Sequence, residues 1–153
     1  MDKSELILNE DGSVYHLKLK PENLSSKIIL VGDQFRVDKI TKHFEKIEFK
    51  VQNREFKSVT GYYNSNRITV ISTGIGSGNI DIVLNELDAL VNINLNTGEL
   101  NKSLKKLELI RIGTSGAIQK DIPVDSFLIS KMAIDVDGFL MNYDLANIDN
   151  TKF

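Results

Sequence analysis

Three short stretches of the chain each pair glycine with a polar or cationic residue. They are Val31-Gly32-Asp33-Gln34-Phe35-Arg36-Val37, Ser72-Thr73-Gly74-Ile75-Gly76 and Arg111-Ile112-Gly113-Thr114-Ser115-Gly116-Ala117-Ile118. Glycine lets backbone N–H groups approach an anion with no side chain in the way, and arginine offers a planar fork of donors that matches phosphate oxygens two at a time. Brought together, the three stretches would form an oxyanion site. Arg36 falls just inside the helix expected after Gly32-Asp33, where free N–H groups and the helix dipole favour an anion. Taken alone, an ordinary surface arginine explains it equally well. Arg111 lies within the apolar string Leu109-Ile110-Arg111-Ile112. That placement predicts a buried charge in need of a partner, either a ligand phosphate or an acidic side chain.

Other chemistries have less to draw on. Gly74-Ile75-Gly76-Ser77-Gly78-Asn79 invites a dinucleotide-binding reading, but the third glycine of that fingerprint would fall on Asn79,. A tight strand-to-helix turn is the stronger reading of the segment by itself. His16 and His43 are the two imidazoles, too few for a histidine metal cluster,. His43 is expected in solvent; for His16 a hydrogen bond to a ligand competes with a plain surface role. Asp33 is expected to order its own turn rather than to act as a base. With no cysteine, disulfides, thiolate metal sites and cysteine nucleophiles are excluded,.

Positioning three loops requires a sheet. At 153 residues and 41% apolar composition, the chain suits one domain spanning 1–153,. The net charge of −2, with dispersed basic residues, gives no footprint for nucleic acid or an anionic membrane,. No apolar run reaches spanning length and the N-terminus is charged, so a soluble cytoplasmic protein is expected,. Alternation over Val14–Leu19 predicts a strand with Tyr15, Leu17 and Leu19 on one side and His16 on the other. Lys27–Val31 predicts a central strand, with Val37, Ile40 and Phe44 following at helical spacing. Glu55–Tyr63 and Arg67–Ser72 predict a hairpin about Asn64-Ser65-Asn66. Ile80, Val83, Leu84, Leu87, Leu90 and Val91 mark an amphipathic helix. Asn92–Ser103 reads as a surface connection, Leu107–Ile112 and Ser126–Ile134 as further strands, and Asp137-Gly138 as a turn before a polar tail at 147–152. All three glycine loops then sit at carboxyl ends of strands, where ligands gather in α/β folds.

Taken with Asn53-Arg54-Glu55-Phe56, the three motifs resemble the nucleoside phosphorylase family, of the uridine phosphorylase type, in order and over nearly the whole chain. The resemblance implies a three-layer αβα sandwich with a central mixed β-sheet, C-terminally truncated at Phe153. It also implies phosphorolysis of uridine or a related nucleoside to free base and ribose 1-phosphate. Phosphate would be the co-substrate, with no further cofactor beyond a potassium ion. It assigns Gly32, Arg36, Arg111 and Thr114 to phosphate, with Arg36 and Arg111 catalytic, and Arg54 to the phosphate of a neighbouring subunit. His16 would reach a ribose 5′-hydroxyl across the same interface, and Thr114, Ser115 and Gly116 would line the nucleoside site. Glu55, Ile75 and Asn79 would hold the monovalent cation. A homodimer or trimer of dimers is implied. Three departures stand out: Gln34 replaces a usual proline and should loosen its loop, Ser115 replaces a threonine, and Asn79 replaces a serine. The base-reading segment of the family lies past Phe153, which keeps open a purine phosphorylase, a nucleosidase or a non-catalytic phosphate-binding remnant.

Overall fold

The computed structural model describes residues 6–144. The chain divides into two compact units, Met1–Thr114 and Ser115–Phe153.

The first unit is built on a five-stranded sheet. Its elements are β1 (Lys27–Val31), α1 (Gln34–Thr41), β2 (Lys46–Asn53), β3 (Phe56–Tyr63), β4 (Asn66–Ser72), α2 (Ser77–Asn92), β5 (Ile93–Asn94), β6 (Glu99–Leu100) and β7 (Glu108–Ile112). The order across the sheet is β2-β3-β4-β1-β7, and β5 and β6 form a separate two-stranded ladder. β1 runs parallel to both β4 and β7, whereas β2, β3 and β4 form an antiparallel meander. The sheet is therefore mixed, and the helices cover its two faces. Alternate residues of β1 point to opposite sides of a pleated strand. Ile28 and Leu30 pack with Val83, Leu87 and Leu90 of α2, while Ile29 and Val31 pack with Val37 and Ile40 of α1. Burying Leu87 and Leu90 contributes about 1.5–3 kcal/mol each. This is the expected αβα layering.

Local chemistry sets the element boundaries. Asp33 caps α1 by accepting from Phe35 N at 2.6 Å, the turn-ordering role expected of it. The β3–β4 turn has Asn64 and Ser65 at φ 47° and 61°, both left-handed as a tight two-residue hairpin requires. A β-bulge falls between Ile47 and Phe49 of β2, opposite Gly61. A Cβ on Gly61 would lie 2.3 Å from the Lys46 carbonyl oxygen, so no larger residue fits there.

Several expectations need correction. Val14–Leu19 is a turn with one bridge, Leu8 to Val14, and Lys18 at φ 51°. Val14, Leu17 and Leu19 are all buried, which strand alternation could not achieve. Asn92–Ser103 is not plain connection, since it closes the β5–β6 ladder around Thr97-Gly98. β2 was not anticipated. In the second unit, Ser126–Ile134 forms no strand among the described residues, and Phe127 and Ile129 are fully exposed. A β-branched run becomes a strand only when a neighbour takes up its backbone ladder. The Asp137-Gly138 turn is present: Gly138 has φ 72° and precedes a 3₁₀ turn at Phe139–Asn142. The polar tail at 147–152 lies outside the described residues.

Candidate functional site

Parallel register fixes the level at which the three loops leave the sheet. Val31 pairs with Ser72 of β4 on one side and with Ile112 of β7 on the other. Gly32, Thr73 and Gly113 therefore emerge together at the carboxyl ends of three adjacent strands. Thr73 N donates to the Val31 carbonyl at 2.8 Å, continuing the ladder one residue past β4. Positive φ at Gly74 and Gly76, 71° and 103°, then turns the chain into α2.

Arginine side chains complete this end. A Cβ built on Gly32 would lie 3.9 Å from Arg111 Nη2 and 3.9 Å from the Gly74 carbonyl oxygen. One on Gly113 would lie 2.7 Å from Arg111 Nη1. The Arg111 guanidinium thus folds over Gly113, in space that a Cβ there would fill, and reaches toward Gly32 at ordinary contact distance. Arg36 Nη2 donates to Thr114 Oγ1 at 3.4 Å, a long bond that links α1 to the third loop. At this end of the sheet Arg111 approaches Gly32, and Arg36 approaches Thr114. Arg111 is nonetheless exposed, not buried. It sits on an edge strand whose residues are all exposed, so water solvates the charge and burial does not by itself demand a partner,.

A second group lies around the tip of the β2–β3 hairpin. Arg54, at φ 53°, has its guanidinium carbon 6.0 Å from the centre of the Tyr15 ring, a cation–π distance. Asn53 Nδ2 donates to the His16 carbonyl at 2.9 Å. His16 does not face away from Tyr15: their rings meet edge to face at 4.9 Å, because the backbone there turns. Its Nδ1 lies 2.7 Å from Glu86 Oε1. Sequence reasoning missed Glu86, although an acidic residue between Val83 and Leu87 on an apolar helix face was a signal. Gln34, expected to loosen its loop, tethers it instead, donating to the Arg54 carbonyl and accepting from Gln52 Nε2. His43 is exposed, as expected.

Between these groups is a depression of about 320 Å³ lined by residues that include Gly32, Glu55, Gly74, Ile75 and Asn79. Asn79 Nδ2 donates to the Ile75 carbonyl at 3.2 Å, and Glu55 Cγ would lie 2.8 Å from a Cβ on Gly74. Glu55, Ile75 and Asn79 thus line one depression, with the Ile75 carbonyl taken up by the Asn79 amide N–H. No cluster of three or more His, Cys, Asp or Glu fit for a metal occurs among the described residues. Ser115 and Gly116 belong to the second unit, where Ser115 Oγ donates to the Gly116 carbonyl at 3.4 Å.

Comparison with known proteins agrees with this arrangement. The family model described as phosphorylase superfamily matches residues 26–147. The chain belongs to the phosphorylase superfamily. It is 33% identical over 134 residues to a uridine phosphorylase of Thermococcus kodakarensis, covering 88% of this chain and 43% of that protein. Against a uridine phosphorylase of Haemophilus influenzae it is 35% identical, covering 82% of this chain and 45% of that protein. A Trypanosoma brucei nucleoside phosphorylase with uridine phosphorylase activity superposes with TM-score 0.70 at 36% identity, covering 77% of this chain and 41% of the other. The chain thus spans less than half the length of these superfamily relatives. No helix among the described residues is long and apolar enough to cross a membrane.

Proposed function

We propose that this chain carries the phosphate-binding half of a uridine-type nucleoside phosphorylase. The observation that supports this most is the meeting of Gly32, Arg36, Arg111 and Thr114 at one end of the sheet. In the proposed reaction a phosphate oxygen bonds to the anomeric carbon of the nucleoside. The glycosidic bond breaks, and the base leaves with the electron pair to be protonated. Arg36 and Arg111 hold the nucleophile in line, and the bound dianion stabilises positive charge developing on the ribose. Thr114 is proposed to contact both phosphate and nucleoside, and Ser115 and Gly116 the base. Arg54 is proposed to serve the phosphate of a neighbouring subunit, and His16 a ribose 5′-hydroxyl, which makes the functional unit a dimer or a trimer of dimers. Potassium held by Glu55, Ile75 and Asn79 would neutralise the carboxylate and brace the loops around it. The proposed setting is cytoplasmic nucleoside salvage.

A purine substrate is the second reading. It is favoured by 33% identity over 135 residues to a purine nucleoside phosphorylase of Geobacillus stearothermophilus. Phosphorolysis assays with uridine, inosine and adenosine, on this chain and on a longer chain carrying the family's remaining segment, separate the two. Uridine turnover is expected in the longer chain, and little or none in this one. In calorimetric titration with phosphate, Arg111→Ala should weaken binding roughly tenfold or more, as loss of charge-assisted hydrogen bonds does. His43→Ala should leave it unchanged. Equal, negligible effects of the two substitutions would overturn the phosphate site.

A further inference from the structure

We propose that Glu86 is a positioning residue that fixes the proton of the His16 imidazole on Nδ1 and so presents Nε2 as an acceptor for a hydroxyl group. On the reading above, on which this step rests, that group is the ribose 5′-hydroxyl of a nucleoside. Glu86 occupies the buried face of α2, 7% exposed, in line with Val83, Leu87 and Leu90. A carboxylate there is costly unless every lone pair is used. Its Oε1 accepts from His16 N at 2.9 Å and its Oε2 from Leu17 N at 2.8 Å, which leaves the group unable to rotate. The same Oε1 lies 2.7 Å from His16 Nδ1.

An ionised carboxylate can only accept, so Nδ1 must be the donor. In a neutral imidazole the other nitrogen then carries the lone pair, and the tautomer is set by the partner of the first. Ring orientation is fixed as well. Tyr15 and Phe56 meet the imidazole edge-on at 4.9 Å and 6.2 Å, and Asn53 holds the His16 carbonyl at 2.9 Å. Among the described residues Nε2 has no hydrogen-bond partner, and the side chain keeps 26% exposure. An acceptor backed by a buried negative charge selects a ligand that donates a proton. It favours a free hydroxyl over a hydrogen at the same position, and disfavours a phosphate ester there. The pair therefore selects nucleosides over nucleotides.

The test begins with the chain labelled with ¹⁵N-histidine, whose ring nitrogens report the tautomer by NMR; His43→Gln assigns the signals. The Nδ1–H form of His16 is expected at a pH where the ring is neutral. In Glu86→Gln the amide offers either a donor or an acceptor, and the two tautomers should mix. Titration of the longer chain that carries the family's remaining segment with uridine and 5′-deoxyuridine is the second readout. Uridine should bind up to about tenfold more tightly, the worth of one hydrogen bond. Glu86→Gln should lower that preference while leaving 5′-deoxyuridine binding unchanged, and His16→Ala should remove it with Glu86 intact. If Glu86→Gln does not fold, the wild-type tautomer and His16→Ala carry the test. An Nε2–H tautomer in the wild type, or equal losses for both nucleosides in Glu86→Gln, would overturn the proposal. Failure of either nucleoside to bind, beside an Nδ1–H tautomer that depends on Glu86, would overturn the nucleoside reading and uphold the hold on the imidazole.

Discussion

At the scale of single residues, glycine and arginine at this site are matched parts. A Cβ on Gly113 would lie 2.7 Å from Arg111 Nη1, whereas one on Gly32 would meet Nη2 only at 3.9 Å, an ordinary contact. Gly113→Ala should therefore push the guanidinium off its position without straining the backbone, because the obstructing atom ends a flexible side chain. Phosphate affinity should fall roughly tenfold, as a lost charge-assisted bond implies, while the thermal midpoint stays near that of the wild type. Titration calorimetry beside a melting curve checks both halves of this expectation, and Gly32→Ala should show a weaker effect. The sequence made the donor types legible, because guanidinium and glycine chemistry does not depend on context. Burial of Arg111 was misread, because apolar neighbours along a strand do not say whether the strand lies at an edge. Glu86 was overlooked for the opposite reason. Its partners, His16 and Leu17, are far away in sequence, and only the turn at Val14–Leu19 brings them to it.

At the scale of elements, Arg67 of β4 binds the sheet to its surroundings with three donors. Nε reaches Glu48 Oε2 of β2 at 2.6 Å, Nη1 the Leu24 carbonyl at 2.6 Å and Nη2 the Glu22 carbonyl at 2.7 Å. The bond from Arg67, helped by one from Tyr62, holds the Glu48 carboxyl below its usual range against a smaller opposing effect of desolvation. A lowered folded-state value means that the contribution is complete above the ordinary glutamate pKa and is lost as pH falls through the lowered value. Arg67→Met should return Glu48 toward the usual range and flatten that acid limb of the stability curve. A carboxyl-carbon NMR titration of Glu48 checks the shift, and denaturant midpoints measured between neutral and acid pH check the limb. Strands with continuous apolar runs or turn signals, β1, β3, β4 and β7, were legible, as was the stripe of α2. β2 alternates Ile47, Phe49 and Val51 with Lys46, Glu48 and Lys50. Its charged face masked a strand that the hairpin tip needed. Val14–Leu19 and Ser126–Ile134 show the reverse error: residue types fit a ladder, but among the described residues the first gains a single bridge, Leu8 to Val14, and the second forms no strand.

At the scale of the whole molecule, the two clusters of candidate residues are proposed to serve different halves of a shared site. Arg111 lies with Arg36, Gly32 and Thr114, and Arg54 lies with Tyr15 at the hairpin tip. If a neighbour supplies Arg54, Arg54→Ala and Arg111→Ala chains should each bind phosphate poorly alone. A mixed dimer should regain one intact site of its two. Calorimetric stoichiometry on mixtures with proven exchange checks this, and no recovery would count against sharing. Among the described residues β7 is also the last strand of the sheet, with Leu109, Ile110 and Ile112 exposed along its outer edge, a template for association. The pairing pattern further implies an order of assembly. The β2–β3–β4 meander joins neighbours in sequence, a local contact set that closes in microseconds. The β1–β7 pair must wait for the chain from Lys27 to Glu108 to close on itself, and such distant pairings form late. The loops that gather Gly32, Thr73 and Gly113 are therefore expected to meet only in the final step of folding. Pulsed hydrogen exchange during refolding should protect β3 and β4 amides well before those of β7. The anion would then be a late ligand of the folding chain as well as of the folded one, and phosphate should slow unfolding without hastening the early phase.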